Sequence, residues 1–183
     1  MKHPSLEELV AKFEAAKAAG KDVRGNPEQL RLHRELAETC PAFTHNLLYL
    51  AWLQQSIDQP DRSAEEVSSE IQRLLEAAVF GSYRSAQTVV ELGHFLDAFR
   101  ASPHEAMRLY EEGEQKALDT LRDAWLGKIR YWNDERTKES LKKALQLGEL
   151  AERMFPDFTS LHIEIQITRD YAETEGLLPP AEK

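Results

Sequence analysis

The chain has 183 residues, 42% apolar and 30% charged, with a formal net charge of −9, which is typical of one soluble globular domain. The acidic balance argues against a nucleic-acid binder, because Lys and Arg supply most of the affinity for phosphate. Cys40 is the only cysteine, which excludes an internal disulfide, and no apolar run is long enough for a signal segment or a membrane span. We therefore expect a cytoplasmic acidic protein that binds neither nucleic acid nor membrane, and we interpret a locally basic stretch over residues 122–143 as a solvated face.

Helix-start signals recur along the chain. Ser5, Ser63 and Ser102 each precede a glutamate by three residues, the spacing of a capping box. Asn26-Pro27 and Ser102-Pro103 place a capping residue before proline, which suits the first helical position. With only eight glycines and eight prolines to interrupt them, these signals predict an all-α fold of about nine helices. The expected ranges are 5–19, 27–39, 43–58, 63–79, 83–100, 103–118, 121–132, 137–155 and 158–175, followed by a tail over 176–183.

The segment LHIEIQIT, residues 161–168, alternates apolar and polar residues, which is the period of a β-strand. No other segment offers a convincing partner strand, and a lone strand leaves its backbone groups unpaired. We therefore predict a helix here and keep an edge strand as the alternative.

The joints between predicted helices share a pattern: a bulky residue, a turn-former, then an apolar residue in fourth place. The four joints begin at residues 40, 80, 118 and 155, so they are 40, 38 and 37 residues apart. A constant interval in this range indicates stacked helical pairs. The pattern predicts that its fourth-place residues are buried at equivalent positions between the helical pairs, and the repeat interpretation depends on that burial. These residues are Phe43, Tyr83, Leu121 and Phe158.

The width of the apolar surface differs from one predicted helix to another. The third, fifth and seventh predicted helices are apolar around much of their circumference, whereas the sixth and eighth carry one stripe each. Inner and outer helices of a solenoid alternate in this way.

The chain resembles the tetratricopeptide repeat (TPR) family. Val89, Leu92, Gly93 and Leu96 resemble the first half of its motif. Ala106, Tyr110 and Gly113 resemble the second half with one extra residue, and Ala144, Gly148, Ala151 and Pro156 match it at the family spacing, with Gly148 in place of an aromatic residue. The repeats are degenerate, because Gly127 lies too far before Ala144 for a standard unit and the helix over 63–79 is long.

The resemblance implies one right-handed helical-repeat domain over residues 1–183, with pairs over 5–39, 43–79, 83–118 and 121–155 and a terminal helix over 158–175. It also implies a concave groove lined by the first helix of each pair, which would hold a peptide or partner segment. The expected groove residues are Asn46, Tyr49, Gln87, Glu91, His94, Asp97, Lys128 and Tyr131. The paired Lys and Asn clamp that some TPR proteins use for a peptide carboxylate is missing.

Catalytic signals are weak. Glu91 and His94 lie three residues apart, as in di-metal bundles, but no second Glu-x-x-His exists in the chain. Cys40 is interpreted as a structural thiol rather than a nucleophile paired with His45. The sequence therefore predicts a non-catalytic protein-interaction scaffold without cofactor or metal. The alternatives are an enzymatic or metal-dependent bundle that uses Glu91 and His94, and an acidic inhibitor or immunity-type protein that masks a basic partner.

Overall fold

The protein is described by a computed structural model that covers residues 4–179, and over that range it contains eight α-helices and no β-strand. The last four residues of the predicted tail, 180–183, lie outside the described residues. The helices are α1 (Leu6–Ala19), α2 (Pro27–Thr39), α3 (Thr44–Ser56), α4 (Ala64–Gly81), α5 (Ala86–Arg100), α6 (Pro103–Glu135), α7 (Lys138–Met154) and α8 (Thr159–Thr174). The all-α prediction is confirmed.

Local capping fixes several helix starts, as the sequence predicts. Ser5 and Ser63 each form a complete capping box with the glutamate three residues later. Asn26 accepts a hydrogen bond from the backbone N–H of Gln29, and Pro27 is the first residue of α2. Thr137 forms a further capping box with Ser140 at the start of α7.

The sequence predicts separate helices over 103–118 and 121–132, with a break around Asp119. This prediction is wrong, because α6 runs without interruption from Pro103 to Glu135. After Pro103 the segment contains no other proline, and residues 114–132 are mostly good helix formers. Asp119 also forms an ion pair with Arg122, three residues on, at 2.8 Å, and such pairs support a helix. The predicted sixth and seventh helices are therefore one helix.

The segment over residues 161–168 is helical, as predicted, and lies within α8. Its buried residues are Leu161, Ile165, Thr168 and Ala172, which recur at helical spacing. Ile163 is 55% exposed, so the apparent strand period comes from an isoleucine that points away from this buried stripe.

The chain is divided into two compact units. Unit 1 is Met1–Lys116 and unit 2 is Ala117–Lys183, so the division falls inside the long helix α6. The expectation of a single domain over residues 1–183 stays a prediction.

Each unit has its own apolar core. In unit 1, α1 packs on α2, α2 on α3, α3 on α4 and α4 on α5. Its largest fully buried apolar side chains are Leu50, Leu53, Val89 and Phe95. In unit 2, α7 packs on α8, and the core is formed by Ile129, Ala144, Ala151, Leu161 and Ile165.

Small residues allow close helix crossings at the positions that resemble the TPR motif. A Cβ on Gly93 would lie 2.9 Å from the Tyr110 ring, and a Cβ on Gly113 would lie 2.4 Å from Val90. In unit 2, a Cβ on Gly148 would lie 3.3 Å from Ile165. These approaches explain why larger side chains are excluded there.

The four joint residues are not equivalent. Phe43 and Phe158 are half-buried N-cap residues of α3 and α8, and each donates its backbone N–H to the residue three before it, Cys40 at 3.0 Å and Phe155 at 3.2 Å. The prediction of four buried residues is wrong at the other two positions. Tyr83 is 93% exposed, and Leu121 is a half-buried residue in the interior of α6. An apolar residue at the fourth position of the joint pattern is therefore not sufficient to identify a turn between two helical pairs. The repeat interpretation needs support from other observations.

Candidate functional site

The predicted groove residues of α3 belong to the interior of unit 1. Asn46 is fully buried, and its Oδ1 lies 2.7 Å from His33 Nδ1 while its Nδ2 donates to the His33 carbonyl at 2.9 Å. Tyr49 is half-buried against the Phe13 and His33 rings, at centroid distances of 5.7 and 4.8 Å. Asn46 therefore holds α2 against α3 and offers no surface to a partner.

The surroundings of His33 favour its neutral form. Because the Asn46 oxygen can only accept, His33 Nδ1 carries the proton and Nε2 is left buried without a hydrogen-bond partner. Burial lowers the pKa of His33, Lys17 lowers it further, and the hydrogen bond with Asn46 offsets only part of the effect. Burial of the ring therefore disfavours the charged imidazolium in the folded chain.

The predicted residues of α5 lie together on one exposed helix face. Gln87, Glu91, His94 and Asp97 are all exposed and recur every three or four residues. The Tyr110 hydroxyl of α6 lies 3.1 Å from His94 Nδ1, and burial, followed by the charge of Asp97, raises the pKa of Tyr110. Within residues 4–179, no three His, Cys, Asp or Glu side chains are grouped closely enough to hold a metal ion.

Lys128 and Tyr131 belong to unit 2, and both are exposed. The Lys128 ammonium lies 5.1 Å from the centroid of the Trp132 ring, which is cation–π range. The TPR resemblance implies one groove for these residues and those of α3 and α5, but the α3 residues are buried or half-buried whereas the others are exposed.

An open apolar groove that the sequence did not reveal lies in unit 1, around the end of α4. Its volume is about 640 Å³. Phe80 is 86% exposed and Tyr83 is 93% exposed beside it. Its lining residues are Ala42, Glu76, Val79, Phe80, Gly81, Tyr83, Arg84 and Leu92. We name this feature the Phe80–Tyr83 groove.

The turn that presents Tyr83 is strained. Tyr83 has φ 54° and Arg84 has φ 57°, so two consecutive residues with side chains adopt the left-handed conformation. That conformation costs about 1–2 kcal/mol for each non-glycine residue. The backbone N–H of Arg84 donates to the Val79 carbonyl at 2.8 Å, which closes the end of α4 and keeps the turn in place. The strain and the exposed ring occur at the same residue.

The groove contains one charged side chain that is already ion-paired, Arg84, and one that is not, Glu76. The Arg84 guanidinium donates two hydrogen bonds to Glu112, from Nε to Oε1 at 2.8 Å and from Nη2 to Oε2 at 2.5 Å. Hydrogen bonding from Arg84 lowers the pKa of Glu112. Glu76 accepts a hydrogen bond from Gln72 at 2.9 Å, and no cation of the described residues pairs with it. The groove therefore presents one carboxylate that is not neutralised.

Cys40 is half-buried at the end of α2, where its backbone N–H donates to the Leu36 carbonyl at 2.9 Å. None of the helices in residues 4–179 combines the length and apolar character needed to cross a membrane.

Comparison with known proteins agrees with the fold. Residues 1–83 match the model of the Myxococcota tetratricopeptide repeat protein family. The chain is also 30% identical over 172 residues to a Myxococcus xanthus protein, the "Uncharacterized 18.1 kDa protein in carS 3'region". That match covers 94% of this chain and 98% of the relative. The chain is a TPR-like helical repeat protein. Proteins of this type are typically protein-interaction modules rather than enzymes.

Proposed function

We propose that this TPR-like chain is a non-catalytic interaction module that binds a segment of a partner protein in the Phe80–Tyr83 groove. The observation that carries the proposal is the combination of a strained turn with two exposed aromatic side chains. Neither feature stabilises the isolated chain, since the strain costs free energy and the rings remain in water. Aromatic side chains that become buried on binding are frequent hot spots of protein interfaces.

The chemistry of the groove specifies the partner segment. Val79, Leu92 and the two aromatic rings call for an apolar side chain as anchor. Glu76 has no paired cation among the described residues, whereas Arg84 is already engaged by Glu112. We therefore propose a segment with an apolar anchor flanked by a lysine or arginine, and this preference agrees with the net charge of −9.

The exposed row on α5 remains a second surface on which a partner could be bound, as the sequence predicts. The row of Gln87, Glu91, His94 and Asp97 is polar and offers no apolar anchor of its own. For this reason the Phe80–Tyr83 groove is the preferred site.

The experiment compares three forms of the chain as bait in the native cell extract. They are the wild type, the double variant Phe80→Ala with Tyr83→Ala, and a control with Gln87→Ala, Glu91→Ala and His94→Ala on the α5 face. Captured proteins are identified by mass spectrometry, and peptides from each are then titrated by calorimetry. We expect the groove variant to lose the partner by at least about tenfold in affinity, since hot-spot residues cost about 2 kcal/mol each.

If the groove variant still captures the partner and the α5 control does not, the binding site lies on α5. That result would contradict the proposed groove. Association of the purified chain with itself in sedimentation experiments, abolished by the groove variant, would show that the occupant is a second copy. Both variants change exposed side chains, so unchanged circular dichroism is expected and serves as the control for folding.

A further inference from the structure

The turn between α4 and α5 is joined to α6 by one side chain. The Arg84 guanidinium donates from Nε and Nη2 to the two carboxylate oxygens of Glu112, which lies 28 residues later on α6 and in the same compact unit. Two parallel hydrogen bonds to a carboxylate fix both the distance and the direction of a guanidinium. The ion pair therefore restrains the turn from a helix that is not one of the two helices it connects.

The backbone that carries Glu112 is a firm anchor, because α6 lies very close to the start of α5. The next residue, Gly113, is buried, and a Cβ on it would lie 2.4 Å from Val90 Cγ2 and 3.3 Å from the Ala86 carbonyl oxygen. Such close packing leaves little room for either helix to shift. The Glu112 carboxylate therefore holds the turn at a defined place.

The end of α4 accounts for one of the two positive φ angles in the turn. The Arg84 N–H donates to the Val79 carbonyl at 2.8 Å, which is the closure typical of a helix that ends with a left-handed residue, here Tyr83. The φ angle of Arg84 rotates only atoms beyond that N–H, so this bond does not determine it. Among the described residues, two other contacts can hold Arg84 at φ 57°. One is the Ser85 N–H, which donates to Ser82 Oγ at 3.2 Å, and the other is the ion pair with α6.

The Tyr83 ring depends on this backbone for its position. It is 93% exposed, and within residues 4–179 it contacts no other aromatic ring and no cation. Because α4 and α5 fix both ends of the turn, a change of φ at Arg84 must be compensated at Tyr83, which moves the ring. The contact between Arg84 and α6 therefore acts on the most exposed side chain of the groove.

We propose that Arg84 and Glu112 are positioning residues of the Phe80–Tyr83 groove, whose ion pair holds the Tyr83 ring where a partner segment meets it. This role rests on the proposed function of the groove and extends the site to Glu112, which does not line it. Without the pair, the turn gains access to less strained conformations, and only the fraction that keeps the ring in place binds a partner. The apparent affinity falls in proportion to that fraction.

The first arm of the test follows the turn without any partner, in the ¹⁵N- and ¹³C-labelled full chain. The nuclear Overhauser effect between the amide and α protons of one residue is strongest where φ is positive, because the two protons then lie closest together. We expect strong effects within Tyr83 and within Arg84 in the wild type. Arg84→Gln and Glu112→Gln should each lose the strong effect at positions 83 and 84.

A matched control comes from another ion pair of unit 1. Arg100 Nη1 donates to both carboxylate oxygens of Glu65 at 2.9 Å, near the start of α4 and therefore at its opposite end. Arg100→Gln removes this pair and should leave the effects at positions 83 and 84 as they are in the wild type. Unchanged circular dichroism is the control for the folding of every variant.

The second arm measures binding with a defined probe. A phage-displayed library of random peptides is screened on the wild-type chain, and the probe is a selected peptide that the double variant Phe80→Ala with Tyr83→Ala no longer binds. We expect Arg84→Gln, Glu112→Gln and the variant with both changes to weaken the probe by the same factor, about tenfold, because all three remove one interaction. Arg100→Gln should bind the probe as the wild type does.

The variant with both glutamines separates positioning from charge. Glu112→Gln also releases the positive charge of Arg84, which would repel a basic peptide. If this charge were the only cause of weaker binding, removing it in the variant with both changes would restore wild-type affinity, and that result would overturn the proposal.

Three further results would overturn it: unchanged effects at positions 83 and 84 in both single variants, their loss with unchanged probe binding, or an equal loss of binding in Arg100→Gln. A screen that yields no peptide dependent on Phe80 and Tyr83 would instead contradict the proposed function of the groove. The first arm would still decide whether the ion pair holds the turn, so the two failures are distinguishable.

Discussion

The turn after α2 and the turn after α4 follow the same sequence pattern but have different structures. At the first, Phe43 has φ −77°, lies half-buried and contacts the Phe13 ring at a centroid distance of 5.6 Å. At the second, Tyr83 has φ 54° and is 93% exposed. The first turn thus closes a core, whereas the second stores strain and leaves an aromatic ring in water.

The turn before α8 belongs with the first kind. Phe158 has φ −95° and is covered by the Arg122 guanidinium, whose carbon lies 4.2 Å from the ring centroid. Two turns built alike, one in each unit, indicate a structural role for the shared phenylalanine. The turn at Tyr83 differs from both, and we therefore propose it as the turn that binds a partner protein.

The largest effect is expected at the core-closing turn. Phe43→Ala removes a half-buried ring from the contact with Phe13 and should lower the free energy of unfolding by about 2 kcal/mol. Urea unfolding followed by circular dichroism measures the change, with Tyr83→Ala as the matched control. Equal losses from the two variants would contradict the distinction between the turns.

The second prediction concerns pH at the same core. His33 contacts Phe13 at 5.6 Å between centroids, and burial lowers its pKa below the ordinary 6.5. The unfolded chain therefore takes up a proton below about pH 6.5 that the folded chain does not, so stability is full above that pH and falls as pH decreases, until the lowered pKa is reached. The loss is at most about 1.4 kcal/mol per pH unit.

Urea unfolding at pH 7.5 and pH 5.5 tests this dependence, with His33→Gln as the comparison. The variant should show a smaller difference between the two conditions than the wild type does. The same pH dependence in both would mean that another group is responsible.

The smallest effect is expected at the strained turn. Tyr83→Gly places the residue that tolerates positive φ at this position and should raise the free energy of unfolding by about 0.5–1 kcal/mol. Tyr83→Ala, which removes the ring but keeps the strain, should leave stability nearly unchanged. Both should weaken partner binding, so that stability and binding separate. Destabilisation by Tyr83→Gly would contradict the strain argument.

Most of the local structure could be predicted because its causes lie within a few residues of one another. Ser5 and Ser63 form their capping boxes with glutamates three residues away, and Pro27 begins α2 after its Asn26 cap. The predicted break around Asp119 is wrong because the local sequence resembles a joint while the residues around it have enough helix propensity to continue α6.

The candidate sites could not be predicted because their properties depend on residues distant in sequence. Asn46 has the polarity of a surface contact, yet its pairing with His33, thirteen residues away, buries it. Gln54 is one of several glutamines in the sequence, and only the packing of the helices buries its side chain.

Helix propensity, capping and periodicity act over short distances, so they suffice to predict an all-α chain, most of its helix boundaries and the small residues of a TPR-like repeat. Which aromatic residues close a core and which remain exposed depends instead on contacts between helices that are distant in sequence. The packing of the helices therefore had to be known. It also decided which polar atoms lack a partner, because exposure and hydrogen-bond satisfaction depend on how the helices pack against one another.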